Sequence, residues 1–305
     1  MMNQPGDNGQ VNAIPIHAFN PGPITGAGNW TWLIPGRVPT LIDAGTGDPR
    51  HLDAVADALR VSGDLTTFAL RATALEKVSG YQTPPEVSGD QPRLAQVIVT
   101  HSHSDHAAGA QAIAERYPGV RFLKMPWPDR DPKWGVTWSA IGDGDTVPAG
   151  DTMLTAVHTP GHAPDHLCFW HQESRTLFGG DLAVKGTTVW IPTSLQGDLT
   201  DYLASLERVL VLAPARILPA HGDVIDDPDA LLRGYLSHRR EREQQVLAAL
   251  REGNVNPDSI VEHIYRGLKE RLIPMAKESV LAQLLKLERE GRVRRDGEAW
   301  HMIDA

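Results

Sequence analysis

Cysteine is almost missing from this chain: Cys168 is the one thiol in 305 residues. A single thiol excludes an internal disulfide framework and fits a reducing compartment. Long apolar runs are missing as well. No stretch reaches the length a bilayer-spanning helix needs, and residues 1–10 hold no apolar segment of signal-peptide type, so the expectation is a cytoplasmic protein with no membrane partner. Positive charge is also short, with 29 Lys and Arg against 38 Asp and Glu and a net charge of −9. The chain has no general attraction to phosphate backbones, so nucleic-acid binding would need a local basic patch. The remainder, 41% hydrophobic and 22% charged, is ordinary for a globular protein long enough to hold two domains.

Against this plain background stands Val97-Ile98-Val99-Thr100 followed at once by His101-Ser102-His103-Ser104-Asp105-His106. Four apolar or β-branched residues in a row predict a buried strand that empties into a polar loop. Chance would place this His-x-His-x-Asp-His pattern on the order of once per thousand such chains. Two His separated by one residue at a strand end point the same way and can grip one cation, while Asp105 and His106 reach around the turn toward another. Neutral imidazoles suit zinc, and an added carboxylate is common where the site hydrolyses something.

Short strand-like runs at 14–19, 30–34 and 40–42, split by Gly and Pro turns, predict an antiparallel start. A helix is expected over 51–61, an insertion with one short helix at 68–75 over 62–93, and a helix from Ala107 to Tyr117 followed by a strand at 120–123. The strand, metal loop, helix, strand unit makes the fold α/β. Residues 125–150 read as a loop whose Trp127, Trp134 and Trp138 either line a cleft or pack the loop down. Asp43, ending a strand, is either a turn former or a partner of a metal ligand.

One layout then recurs: an apolar strand, Gly or Pro, and a lone ligand-type residue, at Thr159-Pro160-Gly161-His162, Gly179-Gly180-Asp181 and Pro219-Ala220-His221. Strand-end loops at one sheet edge converge in α/β sandwiches, so these distant positions can meet. His101, His103 and His162 would then hold one zinc, Asp105, His106 and His221 a second, and Asp181 would bridge the two beside a shared hydroxide.

This ordered set resembles the metallo-β-lactamase superfamily, which implies an αββα sandwich with a dinuclear metal site at its edge. Asp165-His166, Thr187-Thr188-Val189, the 198–206 segment and Ser237-His238-Arg239-Arg240 further resemble the β-lactamase-like protein 2 group. That likeness implies zinc-dependent endoribonuclease activity on single-stranded RNA and a C-terminal winged-helix-like domain. The chain departs from the group at Asn29-Trp30-Thr31-Trp32 and in its small fillers Ser102 and Ser104.

The tail carries its own pattern. A helix is expected over 198–212, a long linking helix over 229–250 with Arg239, Arg240 and Arg242 on a solvated face, and a further helix opened by Asn256-Pro257. Another helix over 275–290 and a hairpin over 292–300 with an Asp296-Gly297 turn complete a winged helix. Arg292, Arg294 and Arg295 either contact phosphates or belong to a packing or dimer module, so a homodimer is among the expected partners. Three segments follow: a flexible tail at 1–12, a catalytic domain at 13–228 and the winged-helix-like domain at 229–305. His17, His51, His171, His263 and His301 have no ligand spacing and are expected at the surface, and Cys168 in the core.

The chemistry expected is that of a hydrolase with two Zn2+ ions, Mn2+ or Fe2+ being alternatives, in which Asp105 is essential. Asp165 and His166 are candidates to protonate a leaving group, with His166 alternatively a brace for a ligand. Single-stranded RNA is the first substrate expectation. A small-molecule thioester or lactone, as for glyoxalase II-like and lactonase relatives, is the alternative, with weak β-lactamase activity behind it and a non-enzymatic, metal-stabilised nucleic-acid-binding protein last.

Overall fold

The computed structural model describes residues 10–23, 25–67 and 93–303, with no account of the side chains at 63–67. Residues 1–9, and the short helix expected at 68–75, lie outside the described residues. Strands β1 (Ile14–His17), β2 (Trp30–Ile34) and β3 (Thr40–Ile42) form the antiparallel start. Helix α1 (Pro49–Thr67) follows, then β4 (Gln96–Ile98), the short helices α2 (Ser104–Ala107) and α3 (Ala110–Arg116), β5 (Arg121–Lys124) and β6 (Trp138–Ala140). These six strands make one sheet in chain order, parallel from β3 onward. A second sheet holds β7 (Thr146–Ala149), β8 (Thr152–His158), β9 (Leu167–His171), β10 (Thr176–Gly180) and, past helix α4 (Leu199–Leu212), β11 (Arg216–Pro219).

Period-two alternation sorts each strand's residues between two cores. Trp32, Ile34, Ile42, Ile98 and Leu123 face Leu154, Ala156, Phe169, Phe178 and Leu218 between the sheets. Their neighbours Leu33, Leu41, Val97 and Phe122 turn the other way, against Val55 and Leu59 of α1 and Ile113 of α3. Val157, Cys168, Leu177 and Ile217 likewise meet Tyr202, Leu206 and Val209 of α4. Sheets apolar on both faces are why these strands read as unbroken hydrophobic runs. Burial raises the Cys168 thiol to about 12, so it packs as a small apolar residue.

Several expectations change. Val11, inside the expected flexible tail, is buried in the core between the sheets. Residues 125–150 contain two strands, both at sheet edges, with Pro148 in β7 where an edge tolerates a missing N–H. Trp134 and Trp138 pack with Phe122 and Trp127 is buried, so all three hold that segment down. His51 and His171 are buried, His51 against Thr31 and His171 against Thr152. The surface expectation fails for both because periodicity says nothing of a polar group with a buried partner.

The long helix α5 (Pro228–Arg251) belongs to both domains. Its Leu232, Tyr235 and Leu236 pack with α4. Val246, Leu247 and Leu250 join a separate core with α6 (Pro257–Ile264), α7 (Ile273–Arg289) and the hairpin of β12 (Val293–Asp296) and β13 (Ala299–Met302). A boundary at 228 therefore cuts one hydrophobic cluster, and the packing changes hands midway along α5. Arg239 is buried rather than solvated, its guanidinium over the Tyr202 ring and donating to the Val189 carbonyl. Asn256 caps α6 with a capping box built with Ser259. None of the helices among the described residues is long and apolar enough to cross a membrane.

This packing can be tested at two points. A Cβ on Gly109 would meet the Ala44 carbonyl oxygen at 2.1 Å, so Gly109→Ala should cost about 3 kcal/mol in chemical denaturation by forcing α3 off the loop after β3. Burial also holds His51 down to about 4, which makes the neutral ring the native form. Its contribution to stability is complete above the unfolded value near 6.5 and is lost as pH falls toward 4. His51→Gln should thus lose about 2 kcal/mol less than the parent between pH 7 and 4.5; parallel acid limbs would disprove the assignment.

Candidate metal centre

Strands β3 and β4 of the first sheet and β8, β10 and β11 of the second all end at one edge of the sandwich. The residues just past those ends are Asp43, the 100–106 segment, His162, Asp181 and His221. In the second sheet β8 and β10 run the same way because each is antiparallel to β9, and β11 is parallel to β10. That topology, not proximity in sequence, brings the repeated layout together. The expected loop at 101–106 is tighter than its sequence suggests: Asp105 and His106 sit in α2 with His103 preceding its first turn.

His103 Nδ1 lies 3.0 Å from His101 Nε2 and 2.8 Å from His162 Nε2. Bonds on the far side of two of these rings decide where their protons are. His162 Nδ1 faces the Trp190 carbonyl oxygen at 2.7 Å and must donate. Thr100 Oγ1 gives its proton to Asp43 at 3.0 Å, so it accepts from His101 Nδ1, also at 3.0 Å. The Nε2 atoms of His101 and His162 are consequently bare lone pairs aimed at one place, an arrangement that a cation satisfies. Burial keeps all three rings neutral, His103 down to about 3, which is the form a metal takes.

A second group sits beside the first. His106 Nδ1 donates to Asp43 Oδ2 at 2.8 Å, which turns Nε2 toward Asp105 Oδ2 at 3.4 Å and Asp181 Oδ1 at 3.3 Å. His221 Nε2 is 3.3 Å from both of those carboxylates. Asp181 spans the two groups, since its Oδ2 is 3.3 Å from His162 Nε2. Burial opposes charge on His221, but Asp181 and Asp105 outweigh it and lift the ring to about 9. His106 is likewise held well above its usual value despite burial, while Asp105 and Asp181 are held far below theirs by the imidazoles. His103 Nε2, His106 Nε2 and Asp181 Oδ1 are buried without hydrogen-bond partners. All seven expected ligands therefore meet, and three overlapping triplets among them bring their ligand atoms within 4.8 Å of one another. Donor set and electrostatics both fit metal ions.

The two candidate proton donors are placed differently. His166 is fully buried, with Nε2 accepting from the Asp181 backbone N–H at 3.0 Å and Nδ1 donating to Thr159 Oγ1 at 2.8 Å. With both nitrogens engaged and burial pushing its pKa to about 3, it positions Asp181 and has no proton to give. Asp165 is buried too, held by Ser102 Oγ at 2.7 Å and Lys124 Nζ at 3.1 Å, and braces the segment between the metal-binding histidines. Sequence reasoning missed Lys124, Asn29 and the Trp190 carbonyl. Lys124 ends a strand with a fully buried ammonium, and Asn29 Nδ2 donates to the Asp105 carbonyl at 2.9 Å. Neither has a spacing signal; a Lys closing an apolar strand was the available hint.

Asp43 supports both groups, so Asp43→Asn should weaken zinc binding about 10–100-fold in chelator competition while the circular dichroism spectrum is unchanged. Equal affinity would show that the bond to His106 does not orient it.

Comparison with known proteins agrees with this geometry. Residues 24–221 match the metallo-beta-lactamase superfamily, and residues 257–300 match the beta-lactamase associated winged helix domain. The chain is 30% identical over 297 residues to a beta-lactamase-like protein 2 homolog of Drosophila melanogaster, covering 93% of this chain and 90% of that one. It is 28% identical over 292 residues to an atrochrysone carboxyl ACP thioesterase of Aspergillus chevalieri, covering 92% and 82%. A metallo-beta-lactamase family protein of Thermus thermophilus shares the fold with a TM-score of 0.71 at 18% identity, over 96% of this chain and 98% of that one. With its converging histidines and carboxylates, the chain belongs to the metallo-β-lactamase superfamily and is a metal-dependent hydrolase that carries a C-terminal winged-helix domain.

Proposed function

We propose that the chain hydrolyses a thioester at a dinuclear zinc site. The observation that carries this reading is that both candidate proton donors are already committed: His166 accepts from the Asp181 backbone N–H and donates to Thr159 Oγ1, and Asp165 is held by Ser102 and Lys124. With these two spent, the site suits an electrophile whose leaving group departs unprotonated. Similarity to the ACP thioesterase over nine-tenths of the chain supports the same choice.

His101, His103 and His162 would hold one ion, Asp105, His106 and His221 the other, and Asp181 both. When bound, such ions supply a water-derived nucleophile near neutral pH and draw charge from the carbonyl oxygen. The protein's own part is to hold the ligands still: Asp43 fixes His106, Thr100 fixes His101, the Trp190 carbonyl fixes His162 and His166 fixes the Asp181 backbone. A thiolate leaving group needs little help from a general acid, which is consistent with His166 and Asp165 being committed elsewhere.

Single-stranded RNA is the second reading, favoured by Arg294 and Arg295, whose side chains are exposed on the wing. Turnover of an acyl-pantetheine thioester, single-stranded RNA, a lactone and a β-lactam by the purified chain, at matched zinc and manganese, separates the readings. Thioester cleavage should dominate, disappear with chelator and fall about a thousandfold in His103→Ala. RNA cleavage alone, suppressed by salt and by Arg294→Ala with Arg295→Ala, would overturn the proposal in favour of a nuclease.

A further inference from the structure

A cavity of about 350 Å³ lies where the segment after Asp181 meets the tail. Its wall includes Trp190 from the catalytic domain, His238, Arg239 and Arg242 from α5, and Gln283 from α7. None of the proposed metal ligands lines it, so it is separate from the metal centre. Four buried polar atoms without a hydrogen-bond partner belong to residues of this cavity: Trp190 Nε1, His238 Nδ1, Arg239 Nε and Gln283 Oε1. The other such concentration is the metal cluster itself, where unmet atoms mark a ligand's place.

The chemistry of the four can be assigned. His238 Nε2 accepts from Arg242 Nε at 3.3 Å, so in the neutral ring Nδ1 carries the proton and is a donor. Burial, with Arg242 and Arg239 alongside, lowers the pKa of His238 and keeps that ring neutral. Trp190 Nε1 and Arg239 Nε are donors by nature. Gln283 Nε2 is spent on the Arg239 carbonyl at 3.1 Å, which leaves Oε1 as the one acceptor. Arg239 is 6% exposed and Gln283 3%, so water does not serve them freely. No Asp or Glu lines the cavity, and the guanidinium of Arg239 is met by a carbonyl and an aromatic face, not by a carboxylate. A buried cation without a counterion is costly, and with His238 and Arg242 beside it the polar end of the cavity favours an anion. Much of the remaining wall is apolar, including Val246, Ile264, Leu268, Met275 and Val280.

We propose that this cavity binds an amphipathic anion, a carboxylate on an apolar body, with its head at the polar end formed by Arg239, His238 and Arg242 and its body along the wall from Ile264 to Met275. The proposal holds whatever the metal centre hydrolyses, because none of the proposed metal ligands lines the cavity, although the Trp190 carbonyl that holds His162 belongs to a residue of its wall.

The test is calorimetric titration of the full chain with decanoate, and with decanol and acetate as partial probes. Decanoate should bind saturably at one site per chain, with decanol and acetate each at least about tenfold weaker because each lacks one half of the complement. Arg239→Met removes the head contact at the risk of unfolding, so Ser279→Phe, which fills the cavity from α7, and Arg242→Gln are measured beside it with circular dichroism as the check on folding. Loss of decanoate binding in folded Ser279→Phe and about tenfold weakening in Arg242→Gln are the expected results. Decanol binding as tightly as decanoate, undiminished binding to folded Ser279→Phe, or no binding of decanoate at millimolar concentration would each overturn it.

Discussion

The metal centre depends on one buried carboxylate. Asp43 accepts from the Thr100 backbone N–H at 2.8 Å, from Thr100 Oγ1 and from His106 Nδ1, so its two oxygens serve both halves of the cluster. An isolated carboxylate at 2% exposure would be prohibitively costly; several hydrogen bonds to it make the position tenable. Its backbone adopts φ 64°, a left-handed turn that lets the chain leave β3 and aim the side chain at the end of β4. Through Thr100 it also fixes the tautomer of His101. A single residue outside the expected ligand set thereby decides which nitrogens of His101 and His106 face the centre of the cluster.

From that anchor the cluster is built by layers rather than by local sequence. One sheet contributes Asp43 and the 101–106 segment; the other contributes His162, Asp181 and His221. The two halves stay in register because side chains interdigitate between the sheets, with Trp32 edge-on to Phe178. Close approaches leave little play. A Cβ on Gly161 would meet the Tyr202 backbone at 2.3 Å, so the His162 turn sits directly on the start of α4, where Asp198 caps the helix. Substitutions in that helix would be felt at the metal site without touching it.

Much of this was legible in the sequence, and the reasons are physical. The seven expected ligands, five His and two Asp, follow strand ends directly or within the helical turn after β4, where apolar runs stop, so both signals reinforce each other. Helices α4, α6 and α7 announced themselves by caps and 3.6-residue periodicity. What stayed hidden was whatever depends on three-dimensional partners. Nothing in one dimension distinguishes a His51 that meets Thr31 from a surface histidine, or shows that Arg239 leaves the charged face of α5 to lie on Tyr202. Edge strands β6 and β7 were lost because Pro, Gly and Asp break their pattern. His166 was open to a catalytic role or to bracing a ligand, and its two engaged nitrogens favour the brace.

The same division governs substrate choice. The parts that hold metal are tied by topology, by the Asp43 and His166 braces and by glycines with no room for a side chain, so they cannot drift without losing the cluster. Segments 125–137 and 184–197 and the tail are held instead by individual side-chain bonds, such as those of Tyr235 to Val184 and Thr187, Arg239 to Val189 and Thr193 to Glu278. Relatives that carry different names accordingly match this chain over the same nine-tenths of its length. The reaction class follows from the sandwich, whereas the molecule on which it acts depends on the loops around the metal centre.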